Sequence, residues 1–426
     1  MGSSCGSTRR AAMLNRTVRQ ARGSTVFDAL KGWSPAQKHV VAASYLGWTL
    51  DAFDFFLMVF VIKDVAHEFG AGKEDVAWAI TLTLALRPVG AFIFGRLADR
   101  FGRRPILMAD VALYSVLGFS TAFAPNLIAF LIIRSLFGIA MGGEWGIGAS
   151  LTMETVKPEA RGFVSGLLQS GYPSGYLLAS VAYGLLYSHL GWRGMFMIGV
   201  IPALLILYIR RHVPESPGWS AEHAKTGTVW NVLRSHWQIA LYAIVLMTAF
   251  NFFSHGTQDI YPTFLQVQHK FDAHTTGAIA VIYNVGAILG GWTFGMWSQS
   301  FGRRRTIIAA ALLAIPVSYL WAFSSTAALL TVGAFLMQFF VQGAWGVIPA
   351  HLNELSPPDA RGTFPGVVYQ LGNFIASYNA VLQTKIAAQA HENYSVALAG
   401  VAVVAAIAIA ILTALGREAR DIRMAG

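Results

Sequence analysis

The sequence predicts an all-α membrane protein: twelve transmembrane helices in two six-helix bundles related by pseudo-two-fold symmetry. Three observations carry that prediction. Of 426 residues, 55% are hydrophobic and only 12% charged, whereas a soluble globular domain carries about 25% charged residues. The apolar residues fall in twelve runs, each long enough for a helix to cross the hydrocarbon core, which takes about 20 residues. Segments two hundred positions apart repeat one another.

The runs fall near 38–62, 76–97, 105–124, 125–149, 161–187 and 193–211, then near 238–266, 274–297, 306–323, 326–349, 361–387 and 394–415. They are helical because backbone groups facing lipid must be satisfied within the segment. They lack the alternation of membrane β-strands. Arg96, Arg100, Arg103 and Arg104 follow the second run, Arg303, Arg304 and Arg305 the eighth, and Arg210, Arg211, Lys225 and Arg234 lie between the sixth and seventh. The positive-inside rule then places both termini in the cytoplasm. The expected organisation is a basic cytoplasmic tail (1–37), a first bundle (38–211), a cytoplasmic linker (212–237), a second bundle (238–415) and a short cytoplasmic tail (416–426).

Several classes are excluded. The net charge of +10 is dispersed over short connections rather than gathered into a nucleic-acid patch. The single cysteine, Cys5, rules out an intramolecular disulfide framework and a thiolate metal site. GAGKED at 70–75 lacks the upstream glycine and the Ser/Thr of a phosphate-binding loop, so neither a nucleotide nor an enzyme activity is expected, and no catalytic residue, metal or cofactor. The first forty residues lack an apolar core until residue 39 and read as no cleavable signal. MGSSCG misses the myristoylation pattern.

GRLADRFGRR at 95–104 is echoed by GMWSQSFGRR at 295–304, GGEWG at 142–146 by QGAWG at 342–346, and Glu154 with Arg161-Gly162 by Glu354 with Arg361-Gly362. Two six-helix halves in parallel orientation describe a transporter with its site at the interface of the repeats. GRLADRFGRR resembles the loop 2–3 signature of the major facilitator superfamily. That resemblance implies a gating role for Gly95, Asp99, Arg100, Gly102, Arg103 and Arg104, with Asp99 and its arginines latching the cytoplasmic side in the outward-facing state. A carboxylate beside a helix N-terminus and guanidinium groups makes charge-assisted contacts that suit such a latch. In the second copy Gln299 replaces the acid, so a weaker latch is expected there.

The stretch NFFSHGTQDIYPTFLQ (251–266) interrupts an apolar run with Asn251, Ser254, His255, Gln258 and Asp259 at i, i+3, i+4, i+7 and i+8. That spacing sets them on one helical face, and a polar stripe in a membrane helix faces the bundle interior or a water-filled cavity. With Thr257 and Thr263 the stretch resembles the helix 7 signature of the fungal lactate/pyruvate–proton symporters. LGWTLDAFDFF and MGGEWGIGASLTMETVKPEARG are similar to the sialate:proton symporter group that contains those carriers. The resemblance implies symport of a small monocarboxylate with protons, with the helix 7 residues at or beside the substrate.

The expected substrate-binding residues are Arg87, Asn251, Ser254, His255, Gln258, Gln370 and Asn373. Arg87 lies about 16 Å into its helix, near the middle of a roughly 30 Å core, and a guanidinium offers a carboxylate two parallel donors. Arg134 is the weaker choice for that role. The expected proton-coupling residues are Asp259 with His255, then Asp51 with Asp54, and Glu144, because an ionised group in a membrane helix is costly and seldom idle. Gln169, Tyr172, Tyr176 and Ser377 sit on softer polar stripes. Gly138, Gly142 and Gly146 form a ladder for close helix packing. A monomer in a lipid bilayer is expected, as a multi-pass protein of a bacterial inner membrane. Sialic acid, a larger organic acid or an uncoupled nutrient sensor are the alternatives.

Overall fold

The computed structural model describes residues 32–219, 235–391, 393–420, 422 and 424. Most of the expected N-terminal tail, residues 220–234 of the linker and positions 421, 423, 425 and 426 lie outside the described residues. Among the described residues there is no strand.

The first half contains α1 (Pro35–Glu68), α2 (Lys73–Phe101), α3 (Arg103–Thr121), α4 (Leu127–Thr155), α5 (Arg161–Gln169), α6 (Gly171–Ile198) and α7 (Ala203–His212). The second contains α8 (Trp237–Gln258), α9 (Tyr261–Val267), α10 (Ala273–Phe301), α11 (Arg303–Phe323), α12 (Ala327–Trp345), α13 (Ile348–Leu355), α14 (Phe364–Ala376), α15 (Asn379–Gln389) and α16 (Tyr394–Leu415). Helix α6 turns at Gly191, where the backbone leaves helical geometry. Joined across their short breaks, the helices make twelve passes, six in each half. Among the described residues eight of these passes, two of them joined pairs (α8 with α9 and α12 with α13), are long and apolar enough to cross a membrane by length and composition. Helices α5, α6 and α7 form a bent stretch that the turn at Gly191 divides into two passes.

Local sequence explains where passes begin. Ser34 accepts from the Gln37 backbone N–H while the Gln37 side chain accepts from the Ser34 N–H, a capping box that starts α1. Asn126, Asp272, Thr326 and Asn393 cap α4, α10, α12 and α16 in the same way through their side-chain oxygens. Between α2 and α3 the chain reverses at Gly102, and between α10 and α11 at Gly302, with φ of 104° and 94°. Only glycine adopts such backbone without strain, which accounts for the glycine inside each copy of the arginine motif. Glu215 then accepts from the Arg103 and Arg104 backbone N–H groups, and Glu418 from those of Arg303 and Arg304. Each carboxylate satisfies orphan donors at a helix N-terminus.

Packing follows the glycine ladder of α4. A Cβ at Gly138 would stand 2.3 Å from the Thr83 carbonyl and one at Gly142 2.0 Å from that of Arg87, so both lie flush on α2. Gly146 instead meets Gly366 of α14, across the interface of the halves. Gly162 and Gly166 of α5 meet Gly295 and Gly291 of α10 in the mirrored position. The three contacts between the halves close one end of the molecule, the end that carries the arginine motifs.

Candidate substrate cavity and gate

The closed end is held by a buried polar cluster. Asp99 accepts from the Gly362 N–H (2.8 Å), the Thr363 N–H (3.0 Å) and the Thr363 hydroxyl of the opposite half. Arg103 stands 3.2 Å from both Asp99 and Glu154, and Ser216 donates to Glu154. The indole of Trp219 donates to the Asp99 carbonyl. In the mirrored cluster Arg303 is bidentate to Glu354 (2.9 and 3.0 Å) and donates to Gln299 (2.9 Å). Gln299 accepts from the Gly162 N–H at 3.3 Å. One side thus crosses the interface with a carboxylate and three donors, the other with a neutral amide and a long bond. Gly95 lies against Gly362 and Thr363, where a Cβ would come within 2.7 Å. Arg104 donates to the Arg210 carbonyl, and Arg100 lies over the Phe101 ring. Of the six expected gating residues, Gly95 and Asp99 touch the opposite half, Arg103 supports Asp99, and Gly102 and Arg104 shape the turn behind them.

Beyond this closure a cavity of about 340 Å³ lies between the halves. Its two walls differ in chemistry. The first half supplies Phe55, Phe56, Val59, Ile80, Leu84, Tyr172, Pro173 and Tyr176, a mostly apolar and aromatic surface. The second supplies His255, Gln258, Asp259, Tyr283, Asn284, Gln342, Asn373 and Ser377, mostly amides and ionisable groups, with Pro262. Helix α8 ends at Gln258 and α9 begins at Tyr261, with Pro262 in its first turn. Pro262 has no N–H to continue the α8 ladder, so the chain breaks at Asp259, which is left at the cavity with its side chain 40% exposed.

His255 is the centre of the polar wall. Its Nε2 donates to Asn373 Oδ1 at 2.9 Å, and its Nδ1 lies 3.1 Å from Asp259. An imidazole with acceptors at both nitrogens is fully satisfied when doubly protonated. Gln258 donates to Gln338 (2.7 Å), which donates to Thr257 (3.0 Å), and Gln342 donates to Ser254 (3.2 Å). Asn251 turns back to the Met247 carbonyl and is buried, and Gln370 lies behind Asn373, its oxygen 3.4 Å from the Asn373 amide. The expected stripe therefore divides: His255, Gln258 and Asp259 line the cavity, while Asn251 turns back onto its own helix and Ser254 ties α8 to α12.

Arg87 is central in depth but 2% exposed, and it sits behind Phe55, 5.1 Å from that ring, donating to Met141 Sδ at 3.2 Å. Among the described residues no arginine lines the cavity. Arg134 lies over the Phe137 ring at 4.0 Å and is buried. Asp51, Asp54 and Glu144 are likewise buried in the first half, away from the cavity surface. Sequence reasoning misses Gln338, Gln342 and Asn284. The glutamines stand four apart inside the apolar run GAFLMQFFVQGAW, the same one-face signal that marks α8.

Comparison with known proteins agrees with this architecture. A family model described as "Major Facilitator Superfamily" matches residues 44–269, and one described as "Sugar (and other) transporter" matches residues 237–418. A carboxylic acid transporter protein homolog of Saccharomyces cerevisiae is 29% identical over 371 residues, 80% of this chain and 60% of the relative, so the chain spans about three fifths of that protein's length. A probable 4-methylmuconolactone transporter of Cupriavidus pinatubonensis is 31% identical over 368 residues, 84% of this chain and 85% of the relative. Among solved structures, the proton:xylose symporter XylE matches with a TM-score of 0.70 over 87% of this chain and 94% of that one, at 18% identity, a likeness of fold. These proteins are transporters, not enzymes.

Proposed function

The chain belongs to the major facilitator superfamily of membrane transporters, and from that premise we propose that it is a proton-coupled symporter of a small monocarboxylate, of the lactate/pyruvate class, working by alternating access. The observation that carries the reading is His255, held between Asp259 and Asn373 in a polar wall opposite an apolar one. A carboxylate entering the cavity finds a cationic ring and the amides of Gln258, Asn284, Gln342 and Asn373, charge-assisted and neutral donors that replace its water. Its carbon body lies against Phe55, Phe56 and Tyr172. Arg87 stabilises the anion from behind Phe55 rather than by direct contact in this state.

Proton coupling is assigned to Asp259 with His255, and to Asp51, Asp54 and Glu144 behind them. A proton on one of these acids offsets the charge of the anion, so the loaded carrier crosses between states without moving net charge. Asp99 and its partners hold the cytoplasmic side shut while the outer cavity is open. A bilayer with the termini on the cytoplasmic side, in a bacterial inner membrane, and function as a monomer complete the reading.

A bulkier organic acid is the second reading, favoured by one observation: the cavity volume and the three tyrosines on it exceed the needs of a three-carbon acid. The test is uptake of labelled L-lactate into proteoliposomes that are acidic outside, with and without a protonophore. Accumulation that collapses with the protonophore supports the proposal. Inert lactate, pyruvate and propionate together with transported sialic acid or a ring acid refute the lactate/pyruvate class and keep the symport.

A further inference from the structure

Helix α3 presents Asp110, Tyr114 and Gly118 four residues apart, so they form one column over two turns, about 12 Å long. All three are buried, and the column faces the interior of the first half. At one end Gly118 leaves room for Asp54, whose carboxyl lies 3.4 Å from where a Cβ would stand. At the other end Asp110 lies beside Gly143, with its oxygen 2.9 Å from the corresponding point, one residue from Glu144. Glu144 in turn fills the space over Gly47 and shares the flank of Gly148 with Ser44. Between the ends, the Tyr114 hydroxyl is within electrostatic reach of Asp51, Asp54, Asp110 and Glu144 together.

Among the described residues these groups lack hydrogen-bond partners. Both carboxyl oxygens of Asp51, Asp110 and Glu144, one of Asp54, the Tyr114 hydroxyl and the Ser44 hydroxyl are buried with no hydrogen bond. Native interiors leave few such atoms, and each asks for a reason. The facing charges do not supply one. Arg87 and Arg134 act on Asp51, and Arg134 on Asp54, while the group acting on Asp110 is Asp51 and those acting on Glu144 are Asp51 and Asp110. Four carboxyls thus share two guanidinium groups, and the two acids at the inner end have none of their own. A metal ion does not resolve this, since among the described residues no three His, Cys, Asp or Glu side chains are placed to hold one.

We propose that this column is a proton-holding chain inside the first half, running from Asp54 past Tyr114 to Asp110 and Glu144, with Asp110 as its inner end. It rests on the proton-symport reading and adds to it a path for the proton separate from that of the substrate, walled from the cavity by Phe55. A proton from the outer side forms an O–H bond on a carboxylate oxygen. None of these groups hydrogen-bonds another at rest, so the proton passes between carboxyls when side-chain rotation or an entering water brings the Tyr114 hydroxyl into contact. The hydroxyl then accepts one proton as it gives up another, and the proton leaves past Ser44 to the cytoplasmic side. No other bond changes. The substrate never enters the column, and the gate between the halves need not pass the proton.

The experiment uses the full-length protein in proteoliposomes, with Asp110→Asn, Glu144→Gln and Asp259→Asn compared with the unsubstituted chain. With the outside more acidic by about one pH unit, one-proton electroneutral symport concentrates the acid about tenfold. Asp110→Asn and Glu144→Gln bring that ratio to about one, with counterflow exchange still measurable. Infrared difference spectra on raising pH supply a second readout free of any substrate. The unsubstituted protein loses a protonated-carboxyl C=O band that shifts in D2O, and Asp110→Asn lacks that component. Retention of tenfold accumulation by both variants, an unchanged band in Asp110→Asn, or accumulation driven by a sodium gradient at equal pH overturns the proposal. If no acid is taken up by the unsubstituted chain, the symport reading fails by itself, and the infrared band still decides whether Asp110 binds a proton. Loss of accumulation in Asp259→Asn alone leaves the symport standing and removes the column.

Discussion

Replacing Asp99 with asparagine tests the gate most directly. The side chain keeps its shape but loses its charge and turns one oxygen into a donor. Oδ1 accepts from Gly362 and Oδ2 from the Thr363 N–H and hydroxyl, so whichever way the amide is turned, at least one N–H of the opposite half faces an N–H. Hydrogen bonds to a charged acceptor contribute about 1.5–3 kcal/mol each. Losing one and weakening the rest costs the closed state about 2–4 kcal/mol, a shift of about 30- to 700-fold toward an open cytoplasmic side. The assay places a cysteine at Val164 in a Cys5→Ser background. Val164 is fully buried in a cluster that includes Ala350 of the opposite half, and cysteine is smaller than valine, so the reporter does not wedge the gate. Its modification by an impermeant maleimide in inside-out vesicles proceeds in proportion to the open fraction. Asp99→Asn accelerates it by the factor above. A rate within threefold of the control refutes the view that this cluster holds the cytoplasmic side shut.

The other predictions use the same preparation. Gln299→Glu puts a charge between the Gly162 N–H and Arg303, and slows the Val164→Cys reaction at least about threefold. Gly166→Leu places a Cβ 2.1 Å from the Gly291 carbonyl, a clash present only when the halves meet, and speeds that reaction while blocking uptake. Asp259→Asn permits exchange of labelled for unlabelled substrate but abolishes pH-driven accumulation, and intact accumulation removes Asp259 from the coupling. Asn373→Ala strips the acceptor from His255 Nε2, and the loss of one hydrogen bond, about 0.5–1.5 kcal/mol, raises KM about two- to twelvefold with kcat little changed.

The passes were legible because hydropathy reads directly on the solvent around each segment. The offset of two hundred exposed the pairing of Asp99 with Gln299 and of Gly162 with Gly362 before any contact was known. The breaks within passes are harder to read. The run at 326–349 carries no charge, yet α12 ends at Trp345 and α13 begins at Ile348, and nothing in hydropathy marks a change of direction. At the cavity, periodicity assigned His255 and Asp259 to a common face but could not separate them from Asn251 on that face, since one turn of helix decides whether a side chain meets solvent or a neighbouring helix. Depth made Arg87 stand out; that Phe55 screens it depends on packing between α1 and α2. Asp110 shows the opposite failure. It lies within the run 105–124, the same criterion that singled out Asp51 and Asp54, but the arginines just before it draw attention to the loop instead.

The unlike chemistry of the two cavity walls has a consequence for what sets the carrier in motion. On the proposed reading, a charged head group held by His255 and Asn373 belongs to one half alone, and its binding by itself gives the two rims no reason to approach. The remaining surface of the same molecule is wanted by Phe55, Phe56 and Tyr172 on the far side. On that reading a bound acid bridges two outer walls of unlike chemistry, and the outer rims draw together around a molecule with both a head and a body. An inorganic anion of equal charge would occupy the carrier without turning it over. Hydration of an empty cleft keeps the rims apart, which makes idle cycling, and on the symport reading the proton leak that would go with it, a rare event.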